Sequence, residues 1–391
     1  MIRLIVDDQN GGAHYTTSSQ ITTFLQSYNR LEQQKDTDCH NMNAQSDNWS
    51  IIGHAWAVEF LRRSIAGNRI AHAYLIGGPE GVGKALLALR LAQALNCDEG
   101  GIDPCLRCRS CQRIERGNHP DVRIAGMATQ AAGAKADDAA RQKELKIDTV
   151  REWQRDMMLK PYEGRRRVFI LHDAEKLNEA ASNAMLKTLE EPPPYATLIL
   201  VAHTVGSLLP TVVSRCQLLR LRPLPRAQVA AALRQQCNLA AEDAELLAAW
   251  SGGRIGWALR MVADPSQLAA RQEQFNELLT LTDQPLAARL RWAEECAKAY
   301  RAGEQAAVFE MLDLWQSWWR DVLLTAAGCP QAVVHIDRRD DLAAAATQYA
   351  LPDLHAFVAS ISLAAQRLRD NVNPQLALEG VLLSIPERRA A

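Results

Sequence analysis

No uninterrupted apolar run in the 391 residues approaches the roughly 20 that a membrane-crossing helix needs. An excess of charge of one sign is also missing: 44 Lys and Arg face 45 Asp and Glu, for a net charge of −1 and a pI near 6.8. Without a global positive field, any contact with nucleic acid must be local or shared with partners. The opening Met-Ile-Arg-Leu-Ile-Val turns acidic and polar too soon for the apolar segment of a signal peptide. A disulfide framework is not indicated either. Of nine cysteines, four are bunched and the rest scattered, which points to a reducing compartment, the cytoplasm, and to a metal site. The chain is long for one domain, so two or three are expected, and its 48% apolar and 23% charged residues fit a globular protein.

The most informative absence is a single hydroxyl. Tyr74 to Ile76 read as a short buried strand, and Leu86 to Leu95 as an apolar helix. Between them, Gly78, Gly81, Gly83 and Lys84 have the spacing of a phosphate-binding loop. Glycines let backbone N–H groups turn toward phosphate oxygens, and the helix start and the lysine add positive charge. The pattern calls for Ser or Thr after the lysine to ligate Mg²⁺, and here stands Ala85. A second oxygen donor is missing farther on. The apolar strand Val168 to Leu171 ends in His172-Asp173, where a working ATPase of this type offers an Asp to the magnesium shell and often a Glu to polarise water. An imidazole cannot supply the hard anionic oxygen that Mg²⁺ favours. Two losses in one shell point to lost hydrolysis, while Lys84 leaves ATP binding open.

Residues 1–46 are rich in Gln, Asn, Ser, Thr and Asp, which predicts a disordered or weakly helical extension. Helical periodicity begins at Ala55 and runs to Ala66. Cys97, Cys105, Cys108 and Cys111 follow with spacing C-x7-C-x2-C-x2-C, which suits a closed tetrahedral Zn²⁺ site of structural type. A disulfide pair or four unrelated thiols are the rival readings. His119 is a substitute ligand or a locally hydrogen-bonded loop histidine. Residues 125–144 read as a mobile loop and Ile147 to Leu159 as an amphipathic helix. Arg165-Arg166-Arg167 is either a solvated edge or a contact for nucleic acid or a partner. Further elements are a helix over Glu179 to Glu191, strands over Thr197 to Ala202 and Leu218 to Leu221, and three helices over Arg226 to Cys237, Ala241 to Ser251 and Trp257 to Val262. Strands alternating with helices imply a parallel sheet. From about Pro265 everything reads as helix, without charged clefts. Trp315, Trp318 and Trp319 form a core stripe, and a last helix is capped by Asn373-Pro374.

The loop Gly77 to Lys84, the four cysteines, Asn118-His-Pro-Asp121, Leu186-Lys-Thr-Leu-Glu-Glu-Pro-Pro193 and Ser214-Arg-Cys216 occur in an order and spacing that resemble bacterial clamp-loader subunits of the AAA+ class. Among these the chain is most similar to the delta-prime family of DNA polymerase III, a relative of gamma/tau. The resemblance, over roughly 49–386, implies an α/β P-loop domain over 47–224 of the RecA-like parallel-sheet kind, with an inserted zinc module at 97–111. It also implies a helical lid over 225–264 and an all-α collar over 265–391. The partners it implies are gamma/tau and delta-type subunits in a pentameric ring, the sliding clamp, and primed DNA through the complex. Arg215 matches the arginine that reaches ATP on a neighbouring subunit. Ala85, His172-Asp173 and, at the best-matching lid position, Gly256 depart from the gamma/tau pattern and resemble the non-motor delta-prime type. A hydrolysing gamma-like motor and a stand-alone zinc-containing interaction module are the alternatives.

Overall fold

The computed structural model describes residues 48–127, 145, 147–370 and 372–389. The extension expected over 1–46, and the loop expected over 125–144 beyond Met127, lie outside the described residues. Five strands, β1 (Ala73–Gly77), β2 (Val122–Ala125), β3 (Arg167–Leu171), β4 (Ala196–Ala202) and β5 (Gln217–Arg220), form one sheet in the order β2-β3-β4-β1-β5. Every pairing is parallel, with Ile76 opposite Val201 and Gly77 opposite Ala202. Both faces are covered. Tyr74, Ile76, Val168, Ile170, Ile199 and Val201 pack on one side with Leu61, Leu87 and Leu91 from helices α1 (Ala55–Ala66) and α2 (Lys84–Asn96). Leu75, Phe169, Leu198 and Leu200 pack on the other with Trp153, Met185 and Leu189. Burial on both faces is why these strands read as unbroken apolar runs rather than as alternations.

Strand β2 has no such run. Its four residues alternate, it lies at the sheet edge, and it pairs only with β3, so Ala125 belongs to a strand and not to the loop expected there. What holds this edge is the Asn118-His-Pro-Asp121 segment. The buried Asp121 carboxylate accepts the backbone N–H groups of Tyr162 (2.7 Å), Glu163 (2.9 Å) and Gly164 (2.7 Å). Asn96, at the end of α2, accepts from the backbone N–H groups of Arg165 and Arg166, both at 2.9 Å. A Cβ on Gly164 would stand 2.6 Å from Asn96 Oδ1, so only glycine lets the turn close this tightly. The arginine run is spent locally: Arg165 donates to Cys97 O at 2.5 Å, Arg166 to Thr197 Oγ1 at 3.2 Å, and Arg167 to Asp156 O at 2.9 Å. All three arginines thus make local bonds at this junction, with Arg165 still exposed.

The short helix α3 (Arg109–Glu115) carries Cys111, α4 (Ile147–Met157) carries Trp153, and α5 (Glu179–Glu190) follows β3. A four-residue helix, α6 (Pro210–Val213), leads into β5. Then come α7 (Arg226–Cys237), α8 (Ala241–Trp250) and α9 (Ile255–Ala263). Helix α9 starts two residues before the expected Trp257 and includes Gly256. Six more helices from Pro265 to Leu383 share a core in which Trp315 and Trp319 meet the Phe357 ring edge-on, at centroid distances of 5.4 and 4.9 Å. The tryptophan stripe is core, and Asn373 caps the last helix through Gln375 N at 3.0 Å. One expectation is overturned. A cleft of about 800 Å³ lined by Arg254, Arg260 and Arg271 and by Glu310, Asp313 and Arg320 flanks this region, so charged side chains do line a cleft here.

Replacing Asp121 by Asn would turn an amide NH₂ toward N–H donors. The expected loss is about 2–3 kcal/mol of unfolding free energy, the scale of a hydrogen-bonded buried charge. Burial alone would raise the Asp121 pKa, but the three N–H bonds prevail and hold it below the ordinary value. Its contribution is therefore fully present above the unfolded value of about 3.9 and is lost as pH falls through the lower native one. Denaturant unfolding of both proteins at pH 7 and near pH 3 checks this, because the difference between them should shrink in acid.

Candidate functional site

The chain leaves β1 toward one side of the sheet and leaves β4 toward the other. The crevice between their carboxyl ends is therefore a switch point of the kind where α/β sheets bind ligands. Gly83 caps α2 in a left-handed conformation (φ 101°) with open space where a Cβ would be, which aims the first turn of the helix into that crevice. Gly78 and Gly81 complete the loop, and Lys84 opens the helix. Lys84 is buried, and its Nζ donates to Gly78 O at 2.6 Å and Pro79 O at 2.7 Å. It also lies 3.4 Å from His203 Nδ1, just past β4. Burial lowers its pKa to about 8, against the pull of Glu175, Glu80 and Asp173.

The end of β3 meets this lysine. His172 is held in its neutral form by burial. Asp173 is left-handed (φ 54°), a strained setting for a non-glycine residue. Its Oδ2 accepts from Met127 N at 3.2 Å, and its Oδ1 lies 3.7 Å from His203 Nε2. The His203 contact leads the forces that hold the Asp173 carboxyl below its usual range. Glu175 Oε2 accepts the His203 backbone N–H at 3.2 Å. Donor atoms of Asp173, Glu175 and His203 all lie within 4.8 Å of one another, but the Lys84 ammonium already faces this group as its counter-charge. Two positions of the usual magnesium shell are changed, since Ala85 presents a methyl and His172 a buried imidazole, and the oxygen donors left are the carboxylates of Asp173 and Glu175. The sequence reading did not single out His203 or Glu175. Their signal was positional: His203 directly follows an apolar strand, as His172 does.

Gly256 sits against the loop. Its N–H donates to Gly81 O at 2.7 Å, and a Cβ there would stand 3.0 Å from that oxygen. Arg260, one turn on, pairs with Glu80 at 3.0 Å. Arg215 lies elsewhere, between α6 and β5. It donates to Thr211 O at 2.9 Å and to Glu190 Oε1 at 2.8 Å, with no contact to the loop among the described residues.

The four cysteines converge. Sulfurs of Cys97, Cys105, Cys108 and Cys111 lie within 4.8 Å of one another. Backbone N–H groups point at three of them: Cys105 N at Cys97 Sγ (3.4 Å), Cys108 N at Cys105 Sγ (3.3 Å) and Cys111 N at Cys108 Sγ (3.4 Å). A Zn–S distance of about 2.3 Å places tetrahedral sulfurs about 3.8 Å apart, which this set can meet with small shifts. Burial and the neighbouring Cys108 thiol push the Cys111 thiol up. His119 stands outside the set, and its Nδ1 accepts from Asp121 N at 3.1 Å.

Two family models match, described as DNA polymerase III, delta subunit, over residues 53–225, and DNA polymerase III, delta subunit, C terminal, over residues 265–387. A DNA polymerase III subunit delta' from Bacillus subtilis is 27% identical over 84% of this chain and 95% of its own length.

The chain belongs to the delta-prime family of DNA polymerase III subunits.

A delta' relative from Pseudomonas aeruginosa is 37% identical over 47% of this chain and 53% of its own length, so the chain spans about half of that protein. A tau/gamma subunit from Haemophilus influenzae is 31% identical over 61% of the chain and 30% of its own length. Among solved structures, a Bacillus subtilis clamp loader delta protein aligns over 84% of this chain and 99% of its own, at 13% identity and a TM-score of 0.34, too low to carry an argument. Lys84 is the buried charged group of the loop. Folding lowers its pKa from 10.5 to about 8, so the unfolded chain binds more protons between these values and stability rises with pH there. An NMR titration of the Lys84 Cε protons should show a midpoint near 8; a midpoint above 10 would remove burial as the controlling force.

Proposed function

We propose that the chain is a clamp-loader subunit of the DNA polymerase III holoenzyme that assists ATP-driven loading of the sliding clamp onto primed DNA, without hydrolysing ATP itself. The observation that carries this reading is the crevice at Lys84. The loop and its lysine are kept, while Ala85 and the buried His172 withdraw two of the usual magnesium donors, and the carboxylates that remain nearby, Asp173 and Glu175, face the Lys84 ammonium. Gly256 supports it further, since a backbone-to-backbone contact with Gly81 occupies the place where the motor relatives carry a lid arginine. Nucleotide binding, if the loop retains it, would rest on Gly78, Gly81, Gly83 and Lys84.

In this reading Arg215 acts in trans. Arg215 is partly exposed and lies away from its own loop, and stabilising charge on a neighbour's transferring phosphoryl is a role open to it. The partners are gamma/tau and delta-type subunits in a pentameric ring, and DNA is met through the complex in the cytoplasm. The chain divides into an AAA+ domain of RecA-like type over 47–224, a lid over 225–264 and a collar over 265–391. Cys97, Cys105, Cys108 and Cys111 hold a structural Zn²⁺ that fixes the module at 97–111 against Arg165 and Asn96.

The isolated chain should show no multiple-turnover ATPase; turnover abolished by Lys84→Ala would instead establish a motor. In the reconstituted complex, Arg215→Ala should leave assembly intact and depress DNA-stimulated ATP turnover, and an unchanged rate would remove the trans assignment. Metal analysis of protein purified under reducing conditions should give about one zinc per chain. Cys108→Ser should lose the zinc and lower the thermal midpoint, and metal-free wild-type protein would refute the zinc site.

A further inference from the structure

The contact between Glu190 and Arg215 joins two motifs that lie 25 residues apart in sequence. Glu190 is the last residue of α5, and Glu191 and three prolines follow it. A carboxylate in the last turn of a helix faces the negative end of the helix dipole, an unfavourable place unless a cation stands opposite. Arg215 is that cation, with one terminal nitrogen on Glu190 Oε1 at 2.8 Å and the other on Thr211 O at 2.9 Å. A guanidinium carries five N–H donors in a rigid fork. Two are used here, and the other three have no partner among the described residues. Both members of the pair are partly exposed, so the contact contributes little to folding. Together with the Thr211 contact, it does tether the guanidinium at both terminal nitrogens.

We propose that Glu190 is the positioning residue for Arg215: it holds the guanidinium in the orientation from which its free N–H groups reach the phosphates of a nucleotide on the adjacent subunit. This rests on the trans role of Arg215 proposed above. The ligand class is a nucleoside triphosphate held by a neighbour, and Glu190 acts on it only through the arginine. A long, flexible side chain restrained beforehand loses less freedom when it binds, so the effect belongs in the turnover rate of the neighbour's site and not in its nucleotide affinity.

The test is a cycle of Glu190→Gln, Arg215→Ala and the double variant, each assembled into the full complex. Glu190→Gln should lower kcat for DNA-stimulated ATP turnover by about two- to five-fold, the range for an exposed ion pair. KM for ATP should stay within about two-fold, and Arg215→Ala should cost more than Glu190→Gln. The double variant should equal Arg215→Ala alone, because a positioning residue has nothing left to position. If Arg215→Ala slows turnover but Glu190→Gln leaves it unchanged or faster, the positioning role is overturned and the trans reading stands. A Glu190→Gln effect that persists in full on the Arg215→Ala background would also overturn it, by showing an action independent of the arginine. If Arg215→Ala itself changes nothing, both proposals fall.

Discussion

A buried ammonium must find oxygen or lose its charge, and at Lys84 the chain supplies the oxygen itself. Gly78 O and Pro79 O take two of its protons, and His203 stands at the third side. Much of the carboxyl rim of the sheet is arranged around this one group. Asp173 and Glu175 face it from the end of β3, and His203 is tied to both of them. The start of α9 rests on the same loop through Gly256. Remove the charge and three acidic or imidazole side chains from the ends of two strands, β3 and β4, lose their common counterpart.

The opposite rim obeys a different constraint, the satisfaction of backbone donors at a turn. Asp121 and Asn96 together accept five N–H groups from residues 162–166. Arg165 ties the same turn to Cys97 O, the first residue of the thiol set. A motif that looked like a loop with a stray histidine is thus a connector among α2, β2, β3 and the cysteine module.

The apolar elements were legible because burial writes them plainly. The bounds of α1 and α7 follow directly from periodicity, and β1, β3 and β4 from runs that a sheet covered on both faces requires. Strand β2 was not legible, since four alternating residues at an edge carry no run. Gly256 read as a break because glycine weakens a helix, yet it lies inside α9; a close approach to Gly81 outweighs the propensity cost. Of the candidate site, the loop and the thiols announced themselves by spacing, and Arg215 only through the resemblance to clamp-loader subunits. His203 and Glu190 did not, because what matters about them is a contact across 119 and 25 residues of sequence, which no local pattern encodes.

The cysteine module hangs from the amino ends of the strands, while Lys84, Asp173 and His203 gather at the carboxyl ends, with the length of the strands between. Heat tolerance and phosphate chemistry therefore answer to different residues. A change in the phosphate loop touches none of the bonds that Asp121 and Asn96 make, whereas a change at the amino end reaches the entries of β2 and β3.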